Sequence, residues 1–297
     1  MLGMLQVVIG LVFVLLLLSL LATTIMELLA SFFALRGRNL ESALKNLLSS
    51  SDKAEELFKD FKSNSLYRQL SQKAGKTRRS PSYLSAESFQ SILFDVILKG
   101  EKIDQIVDKI ETLPDDDLKN VLKQLLNDAE YELQEFKGKI HGWYDNIMDR
   151  ASGWYKRMVQ KIVVLVGIMI AVVFNADTIA IFERLESDPE SLQQVVNLAE
   201  NYLAKTDAEQ VITATPTFDQ RLDEVRSLIN DEIEQAKSPL GLGWEGISFR
   251  TFSPTEWGIK ILGWIVTALA ISLGAPFWFD LLRKLVNIRS SGNKPGE

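Results

Sequence analysis

The stretch VVIGLVFVLLLLSLLA, residues 7–22, decides the fold class, because it is strongly apolar and carries no charge. It lies in a longer apolar block that extends to about Leu35. About 20 apolar residues in a helix cross the hydrocarbon core of a bilayer, which is roughly 30 Å thick. A cleaved signal peptide would have a basic start and a shorter apolar region. We therefore expect residues 1–35 to form a retained transmembrane helix.

Two later blocks, residues 161–182 and 257–282, have a similar apolar length. Tryptophans lie near both ends of the third block, as is typical of residues at a membrane interface. Elsewhere apolar residues recur three and four positions apart, which indicates amphipathic helices rather than strands. The sequence predicts an all-α membrane protein with three transmembrane helices, a helical cytoplasmic domain and a small helical external domain.

Positive charges flank the three blocks unevenly. Arg and Lys residues follow the first block, precede the second and follow the third, whereas the opposite flanks hold little more than Arg184 and Lys260. Because cytoplasmic flanks carry the excess of positive charge, we expect an external N-terminus, with residues 36–160 and the tail 283–297 in the cytoplasm. Residues 183–256 then form the external domain, which is acidic, with 15 acidic against 6 basic residues.

An apolar stripe extends from Leu118 to Met158 at close to the helical period of about 3.6 residues. This spacing favours one nearly straight helix running into the second block, and a bundle of two or three consecutive helices fits it equally well. Asp115, Asp116 and Asp117 after Pro114 predict a helix start, because their side chains accept free backbone N–H groups. Ser85, which follows the break at Pro81, predicts another helix start for the same reason. The basic stretch KAGKTRR at residues 73–79 predicts a solvated loop.

Four polar residues lie within the predicted transmembrane helices or at their ends: Glu27, Asn175, Asp177 and Asp280. A charged group at membrane depth is costly and is usually paired or next to a water-filled cavity. We expect Asn175 and Asp177 to bond to another transmembrane helix, and Glu27 and Asp280 to form ion pairs at the cytoplasmic face. An ion or proton pathway is the alternative. The candidate cations for the ion pairs are Arg150, Arg157, Lys161 and Arg283.

A cluster of aromatic and cationic side chains precedes the second block, in WYDNIMDRASGWYKRMVQK at residues 143–161. Such side chains anchor a helix at the headgroup boundary, because their apolar stems are buried while their polar ends reach water. Gly274 and Pro276 predict a kink near the inner end of the third block. For the inner membrane interface we predict contacts of six residues: Asp149, Arg150, Trp154, Tyr155, Lys156 and Arg157.

Composition excludes several classes of function. The chain has no cysteine and one histidine, His141, so thiolate sites, disulfides and histidine-rich metal sites are ruled out. A net charge of −6 argues against nucleic-acid binding. Phosphate-binding loops, dinucleotide fingerprints and hydrolase motifs are missing from the sequence. We predict no enzyme, cofactor or metal; a metal enzyme built on the carboxylates of residues 115–117 is the weaker alternative.

Several sequence blocks together resemble an uncharacterised family of bacterial integral membrane proteins. They are RGRNL at residues 36–40, PSYLSAESF at 81–89, DRASGWYKR at 149–157, NADT at 175–178 and GAPFWFDLL at 274–282. The wording at residues 85–88 departs from that of the family. The resemblance implies a bacterial origin and a multi-pass location in the inner (plasma) membrane.

These features favour a non-enzymatic, self-associating membrane scaffold that joins the cytoplasmic helical domain to the acidic external one. The expected partners are the lipid bilayer, further copies of the chain and an unknown protein, and no nucleic acid. The alternative is an ion channel or a force-transmitting subunit, because the layout is similar to that of the ExbB and TolQ stator proteins. The larger external loop and the short C-terminal tail depart from that layout.

Overall fold

A computed structural model describes residues 2–48, 55–74, 77–208, 218–245 and 253–292. The chain divides into two compact units. The inserted unit comprises Phe32–Met158, and the terminal unit comprises Met1–Ser31 with Val159–Glu297. The inserted unit has nearly the limits predicted for the cytoplasmic domain, while the side of the membrane on which it lies stays a prediction.

The inserted unit is helical apart from one small antiparallel ribbon. The ribbon pairs β1 with β2 over the basic stretch predicted to be a loop. That prediction was wrong because three residue pairs at the turn form a ladder that the sequence pattern does not signal. The elements are α2 (Leu35–Leu48), α3 (Glu55–Ser63), α4 (Ser65–Leu70), β1 (Gln72–Ala74), β2 (Thr77–Arg79), α5 (Ala86–Leu98), α6 (Ile106–Glu111), α7 (Asp116–Asn127) and the first part of α8 (Leu133–Val173).

Aromatic side chains fill the core of the inserted unit. Phe89 on α5 stacks on Tyr144 of α8 with ring centroids 4.5 Å apart, and Phe61 of α3 lies 5.5 Å from Phe89. The helix α5 begins where the sequence predicts, because the Ser85 hydroxyl accepts a hydrogen bond from the Ser88 amide at 3.2 Å. Large aromatic rings bury much apolar area each, so this cluster ties α3, α5 and α8 together.

The predicted stripe from Leu118 to Met158 is divided between two helices. Asp115 accepts a hydrogen bond from the Leu118 amide at 2.8 Å and caps α7, as expected. The chain then turns through Glu130 and Tyr131, whose φ angles of 49° and 63° lie in the left-handed region. From Leu133 onward α8 is continuous for 41 residues, about 60 Å at 1.5 Å per residue.

Six further helices follow α8 among the described residues of the terminal unit. They are α9 (Thr178–Ser187), α10 (Pro189–Ala208), α11 (Phe218–Ser227), α12 (Glu234–Leu240), α13 (Pro254–Ile271) and α14 (Ala275–Gly292). A π-helical stretch, Leu228–Ile233, joins α11 to α12 without a break. The turn-prone residues 213–217 lie outside the described residues.

The first helix, α1 (Leu2–Phe32), is the centre of the terminal unit and is long and apolar enough to cross a membrane by itself. Its most apolar window is 67% buried by the later helices. A Cβ on Gly10 would lie 3.1 Å from Leu185 of α9, and Phe13 lies 5.9 Å from Tyr202 of α10. The most hydrophobic helix is therefore covered mainly by protein.

The other two predicted transmembrane helices are broken. The pair α8 and α9 is bent by 48°, and the pair α13 and α14 is bent by 91°. Among the described residues, one helix is long and apolar enough to cross a membrane, or up to three if each bent pair is counted as one span. The prediction of a single helix over residues 257–282 was wrong. The helix α13 ends at Ile271, and Gly274, with a φ angle of 89°, turns the chain. A kink was expected at Gly274 and Pro276, but the observed bend of 91° separates the segment into two helices.

Two ion pairs oppose part of the predicted topology. Arg221 contacts Glu27, and Arg289 lies 2.5 Å from Glu200. Glu27 and Arg289 were expected at the cytoplasmic face, and Arg221 and Glu200 outside. Side chains in contact lie on the same side of a bilayer, so these four residues cannot all occupy their predicted compartments. The predicted partners of Glu27 also differ from the one that it has.

Candidate functional site

The break between α8 and α9 explains the NADT block. Asn175 has φ of 49°, the Ala176 amide donates to the Ala171 carbonyl at 2.8 Å, and the Asn175 amide donates to Val172 at 3.1 Å. This pair of bonds is the Schellman motif, in which Asn is one of the few residues that accept the left-handed conformation. Asn175 therefore ends α8 by its backbone.

A loop after α12 covers the end of α8. The Gly243 amide donates to the Phe174 carbonyl at 2.7 Å, the Asn175 side-chain amide donates to the Gly243 carbonyl at 2.8 Å, and the Trp244 indole donates to the Val172 carbonyl at 2.9 Å. The last carbonyls of a helix lack partners within the helix. The loop supplies those partners, and the Asn175 side chain joins this closure through its NH2 group.

The second half of the block begins α9. The Asp177 carboxylate accepts hydrogen bonds from the amides of Ile179 at 2.9 Å and Ala180 at 3.3 Å. Asp177 lies against α13, where a Cβ on Gly263 would be 1.8 Å from its Oδ1 atom. The Thr178 hydroxyl lies 2.7 Å from the Thr267 hydroxyl on α13. Asn175 and Asp177 were expected to bond to another apolar helix. Among the described residues, Asn175 bonds to the loop after α12 and Asp177 caps its own helix, while the neighbouring Thr178 contacts α13.

The remaining predicted polar residues do not converge on this break. Glu27 pairs with Arg221, and Asp280 is exposed on α14 beyond the 91° bend. Asp280 was expected at the end of a single span helix; it lies on α14, after α13 has ended at Ile271. The four polar residues therefore do not form one pathway among the described residues.

A groove in the inserted unit brings together three of the sequence blocks. It has a volume of about 680 Å³, within the usual range of roughly 300–1,000 Å³ for ligand sites. Its walls come from α2, from the irregular segment before α5, and from α8. The lining residues are Arg36, Asn39, Leu40, Ser82, Tyr83, Leu84, Tyr144, Asp145, Met148, Asp149, Ala151, Ser152, Tyr155 and Lys156.

Two close contacts hold the walls of the groove. The Asn39 side chain donates to the Ala151 carbonyl at 3.2 Å, which fixes α2 against α8. A Cβ on Gly37 would lie 2.5 Å from the Ser80 carbonyl oxygen, so the two backbones approach as closely as only glycine permits. The block RGRNL therefore has a physical reason for its glycine and for its asparagine.

A third contact fixes the segment before α5. The Tyr144 hydroxyl donates to the Leu84 carbonyl at 2.8 Å inside the core. Burial raises the pKa of Tyr144 far above its ordinary value, and the nearby Tyr83 and Asp145 add to that effect. The hydroxyl therefore stays protonated and remains a donor at any physiological pH.

Behind the segment, Glu41 accepts hydrogen bonds from Ser80, at 2.5 Å, and from Lys62. Burial raises the pKa of Glu41, but the bonds from Lys62 and Ser80 and the Lys62 charge outweigh it, so the net pKa is lowered. The Glu41 carboxylate thus links α2, α3 and the start of the groove segment.

The α8 wall presents two parallel rows of side chains at helical spacing. One row is mainly apolar, with Tyr144, Met148, Ala151 and Tyr155. The other is polar, with Asp145, Asp149, Ser152 and Lys156. Among the described residues, Asp145, Asp149, Lys156 and Arg36 have no hydrogen bond or ion pair from their side chains. Four charged groups therefore surround the groove without a partner in the described chain.

Three of the six predicted interface residues line this groove: Asp149, Tyr155 and Lys156. Arg150, Trp154 and Arg157 are exposed outside the lining, and Trp154 is 55% exposed. Asn39, Ser82 and Tyr83 also line the groove and were not predicted as site residues. Their blocks had been noted, but nothing in the local pattern indicates which distant segment each would meet. Among the described residues no group of three or more His, Asp or Glu side chains is placed to hold a metal ion.

Comparison with known proteins finds no relative: no family model, no curated protein and no solved structure matches the chain.

Proposed function

We propose that this chain is a non-enzymatic bacterial membrane protein whose inserted unit binds a partner in the groove between α2, the segment before α5, and α8. The observation that carries the proposal is the convergence of residues 36–40, 82–84 and 144–156 on one concave surface. Its floor is apolar and its rim holds unpaired charges. A largely preformed concavity with a few placed polar groups is the usual form of a binding site.

Membrane location is supported by an apolar face on α8 and α13. Single exposed apolar residues are ordinary, but a contiguous patch on two helices marks a lipid or protein contact. We propose that this face contacts acyl chains, because α1 is already covered by protein. The exposed residues are Leu165, Ile168, Met169, Val172 and Val173 on α8, and Ile261, Leu262, Ile265, Val266 and Leu269 on α13.

Self-association is the less supported part of the scaffold proposal. Small residues in the apolar helices favour close approach of helices. Here, however, Gly167 would place a Cβ 3.2 Å from the Ala268 carbonyl oxygen, and Gly263 lies against Asp177. These glycines serve contacts within the chain. The mass of the detergent-extracted protein, with detergent and lipid subtracted, decides the question, and a strict monomer removes self-association from the proposal.

An ion channel is the second candidate, favoured by the two breaks in apolar helices. Transporters place such breaks at ion sites. The contacts of the Asn175 amide group and the Asp177 carboxylate give both residues a structural role, which is why the channel ranks second. Cation flux in proteoliposomes that falls in Asp177→Asn and Asn175→Ala would support the channel, and flux equal to that of empty liposomes would exclude it.

The binding proposal is tested with a photo-crosslinking amino acid. Placed at Tyr83, which is 77% exposed on the groove rim, it should give an adduct in intact cells. The matched control is the same amino acid at Arg150, which is exposed on α8 outside the groove. Filling the groove with Ser152→Trp should remove the adduct, whereas Asn146→Trp on the outer side of α8 should leave it. Equal labelling at positions 83 and 150 would refute a site in the groove.

A further inference from the structure

We propose that the occupant of the groove is an extended peptide segment of a partner protein, with a basic side chain facing Asp145 and Asp149 and an acidic group facing Lys156. This inference rests on the proposed binding function and adds the chemistry of the ligand. It is carried by the separation of charges along α8 and by an unpaired backbone on the opposite wall.

The charges of α8 that line the groove are separated by sign along the helix. The carboxylates come first, at positions 145 and 149, and the ammonium group of Lys156 follows 7 residues after Asp149. At 1.5 Å per residue the two signs are about 10–16 Å apart along the axis. A free amino acid or a zwitterionic lipid headgroup has its opposite charges much closer together than this. The ligand that matches both ends is longer.

An extended peptide has the required length. It rises about 3.3 Å per residue, so side chains four positions apart, which point to the same face, span about 13 Å. Alternate side chains of such a peptide point to one face, which here meets the apolar floor of Leu40, Leu84 and Met148. The expected segment therefore has a basic residue, an apolar residue between the charges, and an acidic residue or carboxyl terminus.

The opposite wall offers backbone groups to such a segment. Ser82 and Tyr83 lie in neither helix nor strand, and within the described chain their backbone groups form no hydrogen bond. Peptides bind exposed main chain through repeated N–H and C=O pairs, with side-chain pockets providing specificity. The segment is held in place from behind by the Tyr144 bond to Leu84 and by the Ser80 bond to Glu41, so it is preorganised.

A nucleic acid or a purely anionic lipid fits less well. Both would place negative charge along the whole groove, and the unpaired Asp145 and Asp149 carboxylates would repel it. A polycationic ligand meets the same objection at Lys156 and Arg36. A ligand with a positive and a negative group held apart can avoid placing like charges next to each other in the groove.

The test selects ligands from a degenerate heptapeptide library with the full-length protein in nanodiscs. The bound pool should be enriched about tenfold, the equivalent of one good charge-assisted hydrogen bond, in Lys or Arg and in Asp or Glu four positions apart. Asp145→Asn with Asp149→Asn should abolish only the basic enrichment, and Lys156→Gln only the acidic one. Matched controls on α8 outside the groove, Glu135→Gln and Lys139→Gln, should retain both enrichments.

Three results would overturn the inference: a pool without charge preference, a preference for one sign only, or enrichments that the groove variants leave unchanged. Thermal melting of each variant confirms that it is folded. If the Tyr83 crosslinker gives a groove-specific adduct but the library shows no preference, the groove binds something other than this peptide and the proposed function stands. If neither experiment gives a signal, both fail.

Discussion

Replacing Gly37 with alanine tests the packing that builds the groove. Gly37 lies within α2, and the added Cβ would be 2.5 Å from the Ser80 carbonyl oxygen. That oxygen belongs to the backbone, so it cannot swing aside as the end of a flexible side chain would. Relief requires α2 or the Ser80–Pro81 segment to move, and this segment leads directly into the groove wall.

The size of the effect follows from two opposed terms. Overpacking of this kind costs about 1–3 kcal/mol, and contact with a backbone atom puts it near the upper end. Alanine in a helix interior regains about 1 kcal/mol relative to glycine. We expect Gly37→Ala to reduce the free energy of unfolding by about 2 kcal/mol. The control is Gly142→Ala on α8, where a Cβ meets nothing within 4 Å, so the same substitution should stabilise by about 1 kcal/mol.

Thermal melting of the detergent-purified full chain, followed by circular dichroism, measures both changes. At about 3 °C per kcal/mol for a unit of this size, the melting temperature should fall by about 6 °C in Gly37→Ala and rise by about 3 °C in Gly142→Ala. Labelling from the Tyr83 crosslinker should also fall in the first variant. A rise of the melting temperature in both variants would show that Gly37 is not required for close approach.

Three further predictions concern the side-chain contacts of Tyr144, Asp177 and Glu41. Tyr144→Phe leaves the buried Leu84 carbonyl without its donor and should cost about 1–3 kcal/mol by chemical denaturation, whereas Tyr83→Phe on the exposed rim should stay within about 0.5 kcal/mol. Asp177→Ala removes the cap of α9 and should cost about 0.5–2 kcal/mol, while Asp177→Asn retains a capping oxygen and should cost less; equal losses would contradict the capping role. The Glu41 pKa is lowered on folding, so its carboxylate stabilises the folded chain above its ordinary value of 4.5, and this contribution is lost as the pH falls through the lower folded value. Glu41→Gln should therefore flatten the acid limb of a plot of stability against pH, and an unchanged limb would contradict the assignment.

Local signals in the sequence predicted local structure well. Ser85 and Asp115 begin α5 and α7 through the side-chain bonds that their positions indicate. Both depend on residues three positions apart, which any chain entering a helix brings together. The apolar length of α1 was equally visible, since a run of that composition is recognisable without knowledge of its neighbours.

The features that were missed depend on context. The turn between α7 and α8 uses Glu130 and Tyr131 at positive φ, without the glycine that usually marks such a turn. Gly274 and Pro276 predicted a kink, but the 91° angle is set by what α14 packs against, including the Trp278 bond to the Ala270 carbonyl at 2.8 Å. The positive charges that flank the apolar blocks predicted an orientation. They gave no information on the contacts that α10 and α11 make with α1.

One wall of the candidate groove could be predicted from the sequence. The spacing of Asp145, Asp149, Ser152 and Lys156 places them on one side of a helix, so a polar row could be predicted. Its opposite wall could not, because Gly37 and Ser80 are 43 positions apart and meet only after the inserted unit has folded. Convergence of distant blocks is a property of packing, which a single sequence does not display.

The covering of α1 by later helices means that α1 stays uncovered for part of translation. The helix leaves the ribosome before the segments that share its core, which begin at Ile162 in the last part of α8, about 130 residues further on. At about 5–20 residues per second, the nascent chain exposes its most apolar segment for roughly 7–26 seconds. During synthesis α1 therefore needs a temporary apolar environment. Chains that terminate before α9 should be degraded by quality-control proteases rather than accumulate.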